Sequence, residues 1–193
     1  MRKLNILFLD WRLSRNLTES ALSSELNSSI FNLTSSLKKQ LRNNDDLGKE
    51  MMTLLESGEM LTTEIIGRFI SRNLKTIDGD ILLPEYPRTL EQYDGLRKVL
   101  KSDNIELESI WYFKQREPNQ FMTDHFENPK EKQWIEKYGS EIIDKWKTEF
   151  NKRREQINEI QNLSDKTKWK TIEMDYVADL STEYIKQRIK DCA

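Results

Sequence analysis

The sequence has little of the chemistry that many metal and redox sites require. Its 193 residues contain one cysteine, Cys192, and one histidine, His125. A single cysteine excludes a disulfide framework and a cysteine-based metal site within these residues. A single histidine excludes a site built from several histidine ligands. We therefore expect no metal centre of either kind.

The chain also lacks an excess of charge of either sign. Charged residues make up 33% of it, but 31 Lys+Arg oppose 33 Asp+Glu, which leaves a formal net charge of -2. Nucleic acids and anionic membranes attract proteins through a surplus of positive charge. We therefore expect neither a nucleic acid nor a membrane among its partners.

Long apolar runs are missing as well, since none approaches the length of about 20 residues that crosses a bilayer. The first residues, MRKLNILFL, place basic residues before apolar ones, as a signal peptide does. The apolar run ends at Asp10, and no small-residue cleavage site follows it. These residues are better explained as a buried first strand. We expect a soluble, intracellular, cytoplasmic protein.

What the sequence does contain is a regular alternation of strand and helix patterns. Short apolar runs predict strands at residues 4–9, 81–83 and 109–113, and a last strand is predicted at residues 169–174. Helical patterns lie between these runs, at residues 18–26, from Thr34, before Gly58, from Thr62, at 90–100, from Trp134 to about Gln161, and from Ser181. Residues 27–29 and 42–46 are polar and suggest surface connections.

This alternation predicts an α/β fold. We expect a largely parallel sheet of about five strands, with helices on both faces. A chain of this length is sufficient for one domain with a substantial core.

One stretch, ILLPEYPRTLEQY at residues 81–93, follows a predicted strand with a Pro-Arg-Thr turn. In a parallel sheet, ligands bind at the carboxyl ends of the strands. Arg88 lies at this end and offers a planar fork of donors that suits a phosphate or a carboxylate. The stretch therefore predicts an anion site at the strand end.

Together with LGKEMMTLLESGEMLTTEII upstream, this stretch resembles the nucleoside monophosphate kinases, adenylate kinase above all. That family has an L-G segment with a later M-x-x-G-x-L-V, followed by D-G-[FY]-P-R-T-x-x-Q, and the match covers about residues 37–96. The resemblance implies a P-loop kinase fold in one domain over residues 1–193. It also implies a helical monophosphate-binding subdomain at 34–75 and a short or reduced lid at 114–140.

The resemblance further implies a monophosphate half-site for AMP or a related mononucleotide. Arg88 would hold the phosphate, Gln92 would read the adenine edge, and Lys38 stands where the family has a second phosphate-binding arginine. The segment that would line the nucleoside comprises Gly58, Glu59 and Leu61. In the alternative interpretation, Arg88 pairs with a carboxylate of the chain such as Glu85, and Gln92 is a solvated helix residue.

The family's phosphate-binding loop, G-x-x-x-x-G-K-[ST], is replaced here by DWRLSRNLT. In such a loop, glycines let backbone N–H groups reach the phosphates, and the lysine neutralises them. Here Asn16 takes the lysine position, no glycine remains, and Asp10 adds a negative charge. The degenerate loop comprises Asp10, Trp11, Arg12, Leu13, Arg15, Asn16 and Thr18.

Other departures also affect the predicted phosphate and metal positions. Pro84 stands where the family has an acidic residue that organises magnesium, and Glu85 replaces the following glycine. The arginine that the family has before its last strand falls near Lys145 or Lys147. Because phosphoryl transfer depends on positioning and on positive charge around the phosphoryl group, we predict no catalytic residue and no Mg²⁺ site.

Three functions remain open on these observations. The first is an inactive adenylate-kinase-like protein that binds AMP or another mononucleotide as a sensor or regulator. The second is a structural subunit that binds protein partners in a larger assembly and no ligand. The third is an active nucleoside monophosphate kinase, converting ATP and a nucleoside monophosphate to ADP and a nucleoside diphosphate, with a rewired donor site. Cations for such a site would be Arg12, Arg15, Lys38 and Arg88.

Overall fold

Five strands form one sheet in which every neighbouring pair is parallel. The computed structural model describes residues 1–10, 15–43, 45–118, 127, 129–139, 141–175 and 181–192, with the backbone alone for 129–131 and 134. The strands are β1 (Arg2–Leu9), β2 (Ser28–Ile30), β3 (Asp80–Pro84), β4 (Ile105–Gln115) and β5 (Trp169–Met174). Their order is β2-β3-β1-β4-β5. The predicted α/β fold with a five-stranded parallel sheet is confirmed.

Helices connect the strands and cover the sheet. They are α1 (Arg15–Leu26), α2 (Leu33–Gln40), α3 (Asp46–Glu56), α4 (Thr63–Leu74), α5 (Leu90–Ser102), α6 (Pro129–Tyr138), α7 (Glu141–Leu163) and α8 (Thr182–Cys192), with a short 3-10 turn at Lys166–Lys168. Within the described ranges, no helix is both long and apolar enough to cross a membrane.

The central strand β1 is buried on both faces. Leu4, Ile6 and Phe8 pack with residues of α3, α4, α5 and α7 in the larger core. Leu7 and Leu9 point to the other face, where α1 and α8 complete a second core. A continuous apolar run is what a strand between two helical layers requires.

The sheet register brings the carboxyl ends of three strands together. Leu7 pairs with Pro84 at the end of β3, and Leu9 pairs with Phe113 near the end of β4. The residues that follow β1 and β3 therefore meet at one edge of the sheet, where parallel sheets bind their ligands.

The edge strand β2 was not expected from the sequence. Residues 27–29 were interpreted as a surface connection, but Ser28 pairs with Asp80 and Ile30 with Leu82 of β3. The interpretation is therefore wrong, since these residues form a strand of the sheet. The sequence contains no sign of it because an edge strand is only partly covered: Ser29 and Ile30 are exposed, and two serines give no apolar signal.

The long helix predicted from Trp134 to about Gln161 is instead two helices, α6 and α7. Gly139 separates them with φ 84°, and its N–H donates to the carbonyl of Ile135 at 2.8 Å. A glycine in this left-handed conformation is a common helix stop. The apolar spacing of four residues continues across the stop, which is why the pattern alone predicted one helix.

Candidate functional site

The chain turns at Glu85 where it leaves β3. Glu85 has φ 63°, and its N–H donates to the carbonyl of Leu7 at 2.8 Å. The left-handed region favours glycine, the residue that the family resemblance expects at this position, and costs other residues about 1–2 kcal/mol. The turn conformation is thus retained with a carboxylate in place of glycine. The Tyr86–Pro87 peptide that follows is cis.

The Glu85 carboxylate joins three elements of the fold. Its Oε1 accepts a hydrogen bond from the N–H of Leu9 at 3.1 Å, at the end of β1. Its Oε2 lies 3.3 Å from Nη2 of Arg153 on α7. Both side chains are 13% exposed, so this ion pair is largely shielded from water.

The Arg153 guanidinium is largely buried and has more hydrogen-bond donors than acceptors around it. It stacks over the ring of Phe8 at 5.2 Å, and its Nε and Nη1 have no hydrogen-bond partner in the described part of the chain. Burial lowers the pKa of Arg153. The negative charge of Glu85 raises this pKa, and the positive charge of Arg88 lowers it further. Buried donors without an acceptor cost free energy, so this position favours a nearby anion.

Arg88 lies in the same area but is exposed. Its Nε has only a long contact, 3.5 Å, with the backbone carbonyl of Glu85, and it forms no ion pair with any carboxylate of the described residues. The positive charge of Arg88 lowers the pKa of Arg153, as a neighbouring cation does. An anion beside Arg88 would offset this repulsion between cations. The carboxylate of Glu85, which the alternative interpretation assigned to Arg88, is paired with Arg153 instead.

Gln92 stabilises the start of α5. Its Oε1 accepts a hydrogen bond from the N–H of Arg88 at 2.8 Å, and its own N–H donates to Oγ1 of Thr89 at 3.2 Å. These bonds satisfy donors that a helix start leaves unpaired and hold the Arg88 backbone against the helix. The amide oxygen of Gln92 is thus already bonded within the chain. A role of Gln92 in reading adenine stays a prediction.

Asp10 occupies the buried end of β1. Its Oδ1 accepts a hydrogen bond from the hydroxyl of Tyr112, and its Oδ2 accepts from the N–H of Gln115 at 2.8 Å. Nε of Arg154 lies 3.5 Å from the same Oδ2. Burial raises the pKa of Asp10, while Tyr112, Gln115 and Arg154 act in the opposite direction. The Arg154 charge is therefore committed to a carboxylate of the chain.

The first turn of α1 contains another internal ion pair. Nε of Arg15 donates to Oε1 of Glu19, which is buried. Asn16 is exposed and Thr18 is buried on the same helix. The remaining loop residues of the prediction, Trp11, Arg12 and Leu13, lie outside the described residues, as does His125.

The residues predicted to line the nucleoside lie after α3. Gly58 follows the helix end with φ 79°, a conformation that favours glycine. Glu59 is exposed and accepts a hydrogen bond from Oγ of Ser57 at 3.1 Å. Leu61 packs against the larger core. Lys38 is exposed on α2, and its side chain forms no hydrogen bond or ion pair within the described part of the molecule.

The sequence prediction missed Arg153 and Arg154. It placed the later arginine near Lys145 or Lys147, but both lysines are exposed on α7, and the two arginines reach the strand ends instead. A signal was present: Phe150 and Ile157 are buried, and residues 153 and 154 fall between them at helical spacing. Two arginines on an apolar helix face indicate buried ion pairs or an anion site.

Comparison with curated proteins identifies adenylate kinases among the relatives of this chain. No family model matches the chain. Adenylate kinase from Prochlorococcus marinus subsp. pastoris is 31% identical over 96 residues, 49% of this chain and 52% of the relative. That of Prochlorococcus marinus strain MIT 9301 is 31% identical over 111 residues, 57% and 61% of the two chains. That of Thermotoga petrophila is 34% identical over 74 residues, 37% and 34%.

The chain thus spans about half the length of the first curated relatives that it matches. Over the matched residues, the chain is therefore similar to adenylate kinases at about 30% identity. The five-stranded parallel sheet in the order 2-3-1-4-5 is consistent with the P-loop fold of nucleoside monophosphate kinases.

Proposed function

We propose that this protein binds a mononucleotide, AMP as the first candidate, and acts as a sensor or regulator without efficient phosphoryl transfer. The observation that supports this most directly is the contrast between Arg88 and the other arginines at the strand ends. Arg88 is exposed and has no carboxylate partner among the described residues, whereas Arg15, Arg153 and Arg154 are each paired with a carboxylate.

The paired arginines argue against an active donor site. Phosphoryl transfer relies on positive charge arranged around the transferred group. Among the described residues, Glu19, Glu85 and Asp10 pair with Arg15, Arg153 and Arg154. Asn16, at the position of the family's lysine, contributes no charge. A polyphosphate would have to compete with three carboxylates for its cations.

The surroundings of Arg88 support a monophosphate ligand. Arg88 presents its guanidinium to solvent, and Nε and Nη1 of the largely buried Arg153 have no hydrogen-bond partner in the described part of the chain. Gln92 and Thr89 fix the backbone around Arg88. Charge-assisted hydrogen bonds from arginine to phosphate are among the stronger polar contacts in proteins. The similarity to adenylate kinases makes AMP the natural first ligand to test.

Thermal unfolding in the presence of nucleotides tests the proposal. A ligand that binds the folded state stabilises it by about 2.7 kcal/mol at 100 times its Kd, so binding raises the melting temperature. We expect AMP to raise it more than ATP does. No shift with any nucleotide would contradict the proposal, and a large shift with a bisubstrate dinucleotide, such as two adenosines joined by five phosphates, would favour an active kinase.

A further inference from the structure

We propose that Glu85 is a specificity-determining residue that limits the ligand at Arg88 to one phosphate group. This inference rests on the proposed mononucleotide site and extends it, because it concerns which nucleotides that site excludes. Glu85 stands where the related family pattern has glycine, so its side chain is a feature of this chain rather than of the pattern.

The position of the carboxylate supports this role. One oxygen contacts the N–H of Leu9 at the end of β1, and the other contacts Nη2 of Arg153. The carboxylate therefore lies between Arg153 and the end of the central strand. An anion that extends from Arg153 toward β1 must displace it.

The charges beyond Glu85 also disfavour a second phosphate. The next residue after Leu9 is Asp10, whose buried carboxylate already engages Arg154. The N–H of Leu9, which would otherwise be available to an anion, donates to Glu85. A phosphate placed at this N–H would meet the Glu85 carboxylate in a largely buried site, where repulsion between like charges is strong. A single phosphate at the exposed Arg88 avoids this position.

The backbone conformation at Glu85 indicates which variants can remove the carboxylate without distorting the turn. Glu85 adopts φ 63°, a conformation in which glycine meets no steric cost. Glu85→Gly should therefore remove the carboxylate without distorting the turn. Glu85→Gln removes the charge and keeps the size of the side chain. The two variants test the same charge by different structural changes.

Titration calorimetry with AMP and ADP, without magnesium, tests the inference. In the wild-type protein we expect AMP to bind more tightly than ADP. In Glu85→Gln and Glu85→Gly we expect the affinity for ADP to rise about tenfold relative to that for AMP, as loss of one short-range like-charge contact implies. Glu108→Gln is the matched control, because Glu108 pairs with Lys3 near the start of β1, at the opposite end of the sheet. It should leave the ratio of the two affinities unchanged.

The outcomes separate the inference from the proposed function. If wild-type protein binds AMP but neither Glu85 variant changes the ratio, the inference is overturned and the proposed function stands. If wild-type protein binds no AMP, the proposed function fails, and the inference is judged by ADP alone. Gain of ADP binding in a Glu85 variant supports it, and absence of ADP binding in both folded variants overturns it. A purely structural role for Glu85 would change the melting temperature and leave the affinity ratio constant.

Discussion

Oδ2 of Asp10 lies 3.5 Å from Nε of Arg154, across the gap between the end of β1 and helix α7. The same carboxylate accepts hydrogen bonds from the hydroxyl of Tyr112 and the N–H of Gln115. The chain thus places its own anion at the strand end where the family resemblance expects phosphates. This internal anion has consequences for stability as well as for binding.

Asp10→Asn should change how stability depends on pH. Burial raises the pKa of Asp10 above its ordinary value of 3.8, so ionisation of Asp10 costs more in the folded than in the unfolded chain. Its contribution to stability is fully present below pH 3.8 and is lost as pH rises through the raised pKa. We expect the free energy of unfolding of the variant, relative to wild type, to increase between pH 4 and pH 7. Urea unfolding at several pH values measures this difference.

The matched control for this pH series is Asp45→Asn, with the opposite sign. The N–H of Gly48 lowers the pKa of Asp45, with contributions from Arg72 and Gln40. Ionised Asp45 therefore adds stability above its unfolded pKa, which is lost as pH falls. The relative stability of this variant should decrease as pH rises. Equal pH dependence in the two variants would contradict the assignment of the two shifts.

Arg88→Ala should weaken AMP binding by at least about tenfold, because each charge-assisted contact to a phosphate contributes roughly 1.5–3 kcal/mol. The melting temperature should change little, since Arg88 is exposed and forms no ion pair among the described residues. Calorimetric titration and a melting curve provide the two readouts. Arg68→Ala is the control, because it removes the same positive charge from another exposed position, where Arg68 pairs with Glu50. A destabilised Arg88→Ala protein with unchanged AMP affinity would show that Arg88 is structural.

The protein should not catalyse magnesium-dependent phosphorylation of AMP by ATP at ordinary enzyme rates, about 10 per second. The reason is that Arg15, Arg153 and Arg154 are paired with carboxylates. Asn16→Lys should not restore activity, since one added charge leaves these pairs in place. A coupled assay for ADP formation measures both proteins. Turnover near that rate in the wild type would refute the proposed loss of catalysis.

Gly48→Ala should destabilise the fold by about 1–3 kcal/mol, the usual cost of overpacking. An added Cβ at Gly48 in α3 would clash with the carbonyl oxygen of Asn43 and lie 2.8 Å from that of Gln40. Gly67→Ala in α4 is the matched control, because its Cβ would make an ordinary 3.4 Å contact with Val99. Alanine at this helix position should stabilise by up to about 1 kcal/mol. Chemical unfolding of both variants distinguishes the two effects.

The central part of the fold could be predicted because buried strands consist of continuous apolar residues. The runs in β1, β3 and β4 are apolar since helices cover both faces of the sheet. The strand β2 could not be predicted in this way, because its edge position leaves Ser29 and Ile30 exposed. The stop at Gly139 depends on one residue within an otherwise continuous period.

The candidate site was predictable only where its residues follow a strand. Arg88 was identified from its place after β3, whereas Gln92 was identified from the family resemblance. The pairing of Glu85 with Arg153 joins residues far apart in sequence, and no local pattern states which carboxylate meets which arginine. The two arginines at core-facing positions of α7 were the available indication, but their partners required the three-dimensional arrangement.

The central position of β1 also determines the order in which the sheet can form. Leu4 in this strand pairs with Ile81 on one side and with Leu107 on the other, so both neighbours are synthesised long after it. Contacts this distant in sequence are slow to form. Until they form, apolar strands that are not yet paired are prone to aggregate. The nascent chain therefore has to keep its most apolar segment from premature association until β4 has emerged.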